Sequence, residues 1–164
     1  MIEIKPLREV PEYLDDVVEL CYSEFLAYMK VNKLTLNFFY SLEAVEKLRK
    51  IAEEDEGEIG VPQTLLALEN GQLVGIGTLL YKSYEENAPH YPSVAYLAVA
   101  PTHRKQGIGA QLLSALASSA KARGYHKIFL QTDKAGDYYK RRNWEFVENV
   151  VNEFGECQVY RYEV

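Results

Sequence analysis

"VAYLAVAPTHRKQGIGAQLL", residues 94–113, decides the reading of this chain. It opens on an apolar run, Val94 to Val99, of the kind that forms a strand buried on both faces. "PTHRKQG" reads as a turn. Beyond it, Ile108, Leu112, Ala115, Leu116 and Ser119 recur at helical spacing, and the helix ends at Gly124 with Lys121 and Arg123 in its last turn. The helix thus begins among Gly107 and Gly109, although glycine is a poor helix former. A helix start leaves N–H groups unpaired and carries partial positive charge. Glycines let a ligand approach that backbone closely, and Arg104 and Lys105 add full charges. Together these features describe a phosphate or pyrophosphate site. Taken alone, the hexapeptide is equally compatible with a plain turn and two solvated cations. A Walker loop is excluded because no Gly-Lys-Ser/Thr follows, and the dinucleotide fingerprint fails on its glycine spacing.

Downstream, "KIFLQT" (127–132) is a second buried strand, so Val94 to Thr132 reads strand, helix, strand, which implies a parallel pair with a crossover. Upstream, "TLLALENGQLVGIGTLLY" (64–81) holds Asn70-Gly71 between two apolar runs, the signature of a tight hairpin. "IEIKPL" alternates as a short first strand. Pro11 suits a helix start, and Leu14, Val17, Val18, Cys21, Phe25 and Tyr28 follow at helical spacing. A second helix is expected from Thr35 or Asn37, with Phe38, Leu42, Val45 and Leu48 on its apolar face, followed by the acidic loop "EEDEGEIG" (53–60). Residues 82–92 read as a loop, 137–142 as a short helix, and "WEFVEN" with "CQVYRYEV" as a closing antiparallel pair. The fold class is α/β with a mixed central sheet and flanking helices, in a single domain over residues 1–164.

Bulk properties narrow the partners. The 164 residues carry a formal charge of −6, which disfavours nucleic acid and favours a cationic or amine-bearing partner. "MIEIKPLREVPEY" has no apolar core of a secretory signal, and no run approaches membrane-spanning length. Cys21 and Cys157 have no metal-like spacing, and Cys21 falls on an apolar helix face as a buried thiol. The expectation is a cytoplasmic protein without metal and without a membrane partner, monomeric or homodimeric.

"VAYLAVAPTHRKQGIGAQLL" resembles motif A of the GNAT superfamily of N-acetyltransferases, Arg/Gln-x-x-Gly-x-Gly/Ala between a buried strand and a long helix. "AGDYYKRRNW" (135–144) is similar to a second element of that family, Ala-x-x-Phe-Tyr followed three residues later by Gly-Phe. The order of elements also matches, so the resemblance covers almost the whole chain. It implies that the fourth and fifth strands, about 93–99 and 127–132, splay apart and admit the pantetheine arm of acetyl-CoA. The arm would pair with the backbone of Leu97, Ala98 and Val99. The pyrophosphate would rest on Arg104, Lys105, Gln106, Gly107, Ile108, Gly109 and Ala110. Two departures stand out: Asn143 replaces the usual glycine, and Thr132 stands where an asparagine often contacts the cofactor.

The implied activity is transfer of the acetyl group of acetyl-CoA to a primary amine by direct attack in a ternary complex. The alternative is a non-catalytic acyl-CoA-binding sensor or recognition module. Tyr139 matches the family's general acid and also a cofactor-contacting position, with Tyr138 as its core-facing neighbour. Glu24 is the candidate base. His90, Glu85 and Glu86 are further candidates, and each is also readable as a solvated side chain. Tyr96 is placed to line the acceptor side, His103 reads as a surface turn residue, and the acceptor is expected to be a small molecule or a peptide, and cationic.

Overall fold

The computed structural model describes residues 1–32, 63–81, 89–152 and 155–164, with the backbone alone for 25–32. The expected second helix, the acidic loop, Glu85 and Glu86 lie outside the described residues, as do the side chains of Phe25 and Tyr28.

The chain begins with strand β1 (Ile2–Pro6) and two single 3-10 turns, then helix α1 (Leu14–Asn32). Pro11 opens the second of those turns rather than the helix itself. Val17, Val18 and Cys21 are buried and Leu14 is partly so, as the helical spacing requires. The hairpin of β2 (Gln63–Glu69) and β3 (Gln72–Leu80) turns at Asn70 and Gly71, whose φ values of 51° and 76° are the paired positive angles of that turn. β4 (Ser93–Val99), α2 (Ile108–Ala122) and β5 (Lys127–Thr132) form the crossover unit, and α2 stops at Gly124, where φ is 85°. The short helix α3 (Gly136–Lys140) leads into β6 (Glu145–Asn152) and β7 (Gly155–Glu163).

The seven strands of the described residues join one sheet in the order β1-β2-β3-β4-β5-β7-β6, antiparallel throughout except for β4 and β5. The last strand slots between β5 and β6, so β6 becomes the outer edge. One face packs against α2. The buried stripe of that helix is wider than its spacing predicts, taking in Leu113, Ala117 and Ala120 beside Ile108, Leu112 and Leu116. Those residues meet Val74, Leu79, Ile128, Leu130, Trp144 and Tyr160. The helix can lie this close because β3 offers Gly75 beneath it. A Cβ there would stand 3.1 Å from the Ala98 carbonyl oxygen, 3.2 Å from Ile108 and 3.3 Å from Leu112. The other face packs against α1 through Leu66, Leu68 and Ile76.

β4 departs from expectation. Within it only Val94 is fully buried and Ala95 is exposed. The pairing explains why. Leu79 faces Val94 and Gly77 faces Leu97, so Ala95 and Tyr96 together oppose Thr78, a bulge that bends the strand. Only Ser93 and Val94 pair with β5, against Phe129 and Leu130. Beyond the bulge β4 and β5 part, and the residues between them lose the cover a closed sheet would give.

Candidate active site

The site grows from that parting. The Ala100 N–H binds the Val74 carbonyl at 2.9 Å, so Ala100 and, by the twofold period of a strand, Ala98 direct their peptide groups to β3. Leu97 and Val99 therefore turn theirs into the gap facing β5. Ala98 lies between them with its side chain toward α1.

At the open end of the gap the chain makes a 3-10 turn, Pro101–His103, and enters the glycine loop. Lys105 and Gly107 both adopt positive φ, 62° and 81°. Left-handed residues interspersed in this way form the backbone pattern of anion-binding concavities. No acceptor among the described residues meets the backbone N–H groups of 104–110, and that of Gln111 is the first to find one, on Gly107 at 3.1 Å. A Cβ on Gly107 would have nothing within 4 Å. The loop is thus a row of unpaired donors at a helix N-terminus, open to solvent.

Arg104 is committed elsewhere. Its Nε donates to the Val99 carbonyl at 3.0 Å, and its guanidinium pairs with Glu24 Oε2. This ties α1 to the end of β4. Glu24 Oε1 has no partner among the described residues. Gln106 folds back toward the Thr102 carbonyl at 3.5 Å, leaving Lys105 as the cation of the loop without such a tie. The Thr132 hydroxyl accepts from the Ala135 N–H at 3.1 Å, so it caps the turn into α3 and keeps its own proton to donate.

Both tyrosines pack against the core, Tyr138 as expected and Tyr139 beside it. Consecutive helical residues point about 100° apart. Tyr139 takes the inner place, edge-on to Trp144 at 5.8 Å and tilted over Tyr160 at 6.3 Å. Tyr138 lies nearer the loop. A Cβ on Gly109 would reach its hydroxyl at 3.4 Å, and Arg142 covers its ring at 3.6 Å. Burial first, and then Tyr138, push the Tyr139 phenol up to about 12, with Arg142 opposing. Asn143 takes φ of 64°, the left-handed turn that glycine usually supplies.

Other candidates sit apart from the gap. His90 is not solvated: its ring lies tilted against Phe129, centroids 5.4 Å apart, and its Nε2 meets Glu148 at 2.9 Å. That partner lies on the edge strand, a pairing that no local sequence pattern announces. His103 bridges the Thr102 hydroxyl and Glu69, as a turn residue would. Tyr96 packs toward α1. No cluster of three metal-ligating side chains occurs among the described residues.

A strand that leaves its parallel neighbour after two residues, ending at a donor-lined loop, is the arrangement the resemblance implied. Residues 22–144 match the family model described as acetyltransferase (GNAT) family. The chain belongs to that family. No curated protein matches it in sequence. Among solved structures, this GNAT chain resembles an aminoglycoside 6′-N-acetyltransferase complexed with coenzyme A, at TM-score 0.71 and 16% identity over 99% of this chain and 96% of the other. It also resembles a PaiA N-acetyltransferase from Thermoplasma acidophilum in complex with coenzyme A, at TM-score 0.72 and 16% identity over 100% and 99%. A GNAT-family acetyltransferase from Staphylococcus aureus Mu50 aligns at TM-score 0.71 and 16% identity over 99% of both chains. At such identities the likeness concerns the GNAT fold.

Proposed function

We propose that this chain is a single-domain N-acetyltransferase that moves the acetyl group of acetyl-CoA to a cationic primary amine. The observation that carries the reading is the gap between β4 and β5, which leads from the peptide groups of Leu97 and Val99 to the unpaired N–H row of 104–110. These groups fit the cosubstrate: amide-bearing pantetheine for the strand, diphosphate for the loop and Lys105. Acetyl-CoA supplies the activated acyl group as a thioester.

The residues of the chain do the rest. The N–H groups facing the gap hold and polarise a carbonyl without reorganising. An alkyl amine with a pKa near 10.4 is neutral in only about one molecule in a few thousand at pH 7, so a proton acceptor is needed. Glu24 Oε1 takes that role, with Oε2 anchored by Arg104. Tyr139 keeps its proton at all working pH values and presents it to the departing sulfur. Its raised pKa keeps the phenol neutral and makes it a weaker acid, so its part is to hold the departing sulfur by a neutral hydrogen bond. The net charge of −6 raises the local concentration of a cationic acceptor.

The test is thiol release with saturating acetyl-CoA against amines of different class and charge. Turnover is expected with a cationic primary amine, with a second-order rate constant that falls as salt rises. A best acceptor that is neutral or anionic would remove the electrostatic part of the reading. Acetyl-CoA binding with no thiol release from any amine would replace the enzyme by a binding module.

A further inference from the structure

The charge of this chain is divided. Between Glu86 and Asp133 the sequence has no carboxylate, and residues 93–144 carry nine Lys and Arg against two Asp, a net +7. The other residues carry −13, which leaves the total of −6. Folding gathers much of the positive charge on one side, because α2 and α3 cover the same face of the sheet. Lys105 stands before α2, Lys121 and Arg123 at its end, and Lys140, Arg141 and Arg142 at the end of α3. None of these six pairs with a carboxylate among the described residues. Arg123 lies over the Tyr81 ring at 4.6 Å and Arg142 over that of Tyr138 at 3.6 Å, contacts that hold both and leave both charged. The α2 dipole accounts for cations at its own C-terminus, but not for those on α3. Between the two groups a groove of about 320 Å³ runs along α2, walled by Ser114, Ser118 and Trp144, with Arg142 towards one end and Lys121 towards the other. The carboxylate side chain in its described lining, Glu163, pairs with Arg161 at 3.3 Å.

We infer that this face docks a small acidic carrier protein, which brings the acyl group as a thioester on its own phosphopantetheine arm. The docking extends, and rests on, the acetyl-transfer reading. The gap beside Leu97 and Val99 fits a pantetheine arm, and the loop 104–110 fits the phosphate at its end. Carrier-bound and CoA-bound arms share both groups and differ in what lies beyond the phosphate. CoA puts one nucleotide there, so its phosphates stay close to the loop. Lys121 and Arg123 lie about 20 Å away along the 15 residues of α2, beyond the reach of those phosphates. A folded acidic partner covers the cations at both ends of α2 and on α3 at once. Complementary charge of this kind steers association and fixes orientation. The bond changes are those of the CoA reaction. The amine nitrogen bonds to the acyl carbon and the carbon–sulfur bond breaks. The sulfur stays on the carrier's arm and gains a proton as the amine loses one.

The test offers acetylated acyl carrier protein, freed of CoA, to the full chain as donor, beside acetyl-CoA with the same amines. Calorimetry measures carrier binding separately. The carrier should bind, more weakly as salt rises, and should release its thiol when an amine is present. Lys121→Glu and Ser118→Glu, both exposed and far from the loop, should each weaken carrier binding by about fivefold or more. Both should keep kcat/KM for acetyl-CoA within about twofold and melt with the parent, since neither residue meets the CoA arm. If acetyl-CoA turns over while the carrier neither binds nor donates, the docking inference falls and the acetyl-transfer reading stands. If neither donor releases thiol, that reading falls and takes the carrier's donor role with it. Carrier affinity unchanged in both variants, or heparin bound more tightly than the carrier, would also overturn the inference, the latter by revealing a general polyanion surface.

Discussion

Gly107 meets two requirements at one position. Its φ of 81° strains any side chain, and its open surroundings leave room for a ligand against the backbone. Aspartate separates them, because it tolerates the left-handed conformation better than most residues while adding negative charge. Gly107→Asp should therefore melt within a few degrees of the parent and bind acetyl-CoA at least tenfold more weakly by calorimetry. Equal affinity would remove the diphosphate from this loop. Tyr139 offers the second residue-scale test. Tyr139→Phe keeps the ring among Trp144 and Tyr160 and deletes only the hydroxyl, so acetyl-CoA affinity should hold while kcat falls by about 10²-fold, the lower end for a lost proton donor. Because its pKa lies at about 12, no alkaline limb from this group should enter an ordinary assay range. Tyr138→Phe, nearer Gly109, should keep most of kcat and show its effect in KM for acetyl-CoA. At this scale the loop was readable because glycines and cations are adjacent in the chain. The surroundings of Glu24 and His90 were not, since Arg104 and Glu148 reach them only through the fold.

Elements place these residues. α2 holds the loop against the sheet through its contact over Gly75, where three atoms crowd within 3.3 Å of a would-be Cβ. Gly75→Ala should lift the N-terminal turn of α2 and cost about 1–3 kcal/mol in overpacking. Chemical denaturation measures the cost. Acetyl-CoA affinity should fall with it, since Ile108 moves together with the N–H row it follows. The hairpin, the crossover unit and the closing pair all followed from local pattern, because turn residues and periodicity are local properties. Insertion of β7 between β5 and β6 did not, because sheet order depends on pairings made far along the chain. The half-covered state of β4 was equally hidden: an apolar run carries no mark of which residue will be surplus in the pairing.

At the scale of the whole molecule, two buried acids tie stability to pH. Desolvation raises Cys21 from 9.0 to about 12, and burial with Tyr138 raises Tyr139 from 10.0 to about 12. Unfolded, both ionise at their ordinary values. From about pH 9 to 12 the unfolded chain therefore releases protons that the folded chain retains, and stability falls as pH rises through that window. Each group adds a slope of at most about 1.4 kcal/mol per pH unit. Urea midpoints should drop steadily above pH 9, and Cys21→Ala, though less stable at pH 7, should show the shallower decline. A slope unchanged by that substitution would mean that the thiol ionises freely in the fold.

The bulge in β4 has one more consequence. Val94 and Leu97 face α2 while Tyr96 faces α1, so removing Ala95 would leave every other side chain of the strand on its present side. It would also restore a one-for-one match with β3 and let the strand run straight beside β5. Such a shortened chain should fold and pack well, with its last hydrogen-bonding groups closed on one another and no doorway left for a substrate. What keeps this sheet open is a count: one strand holds a single residue more than its neighbour can match.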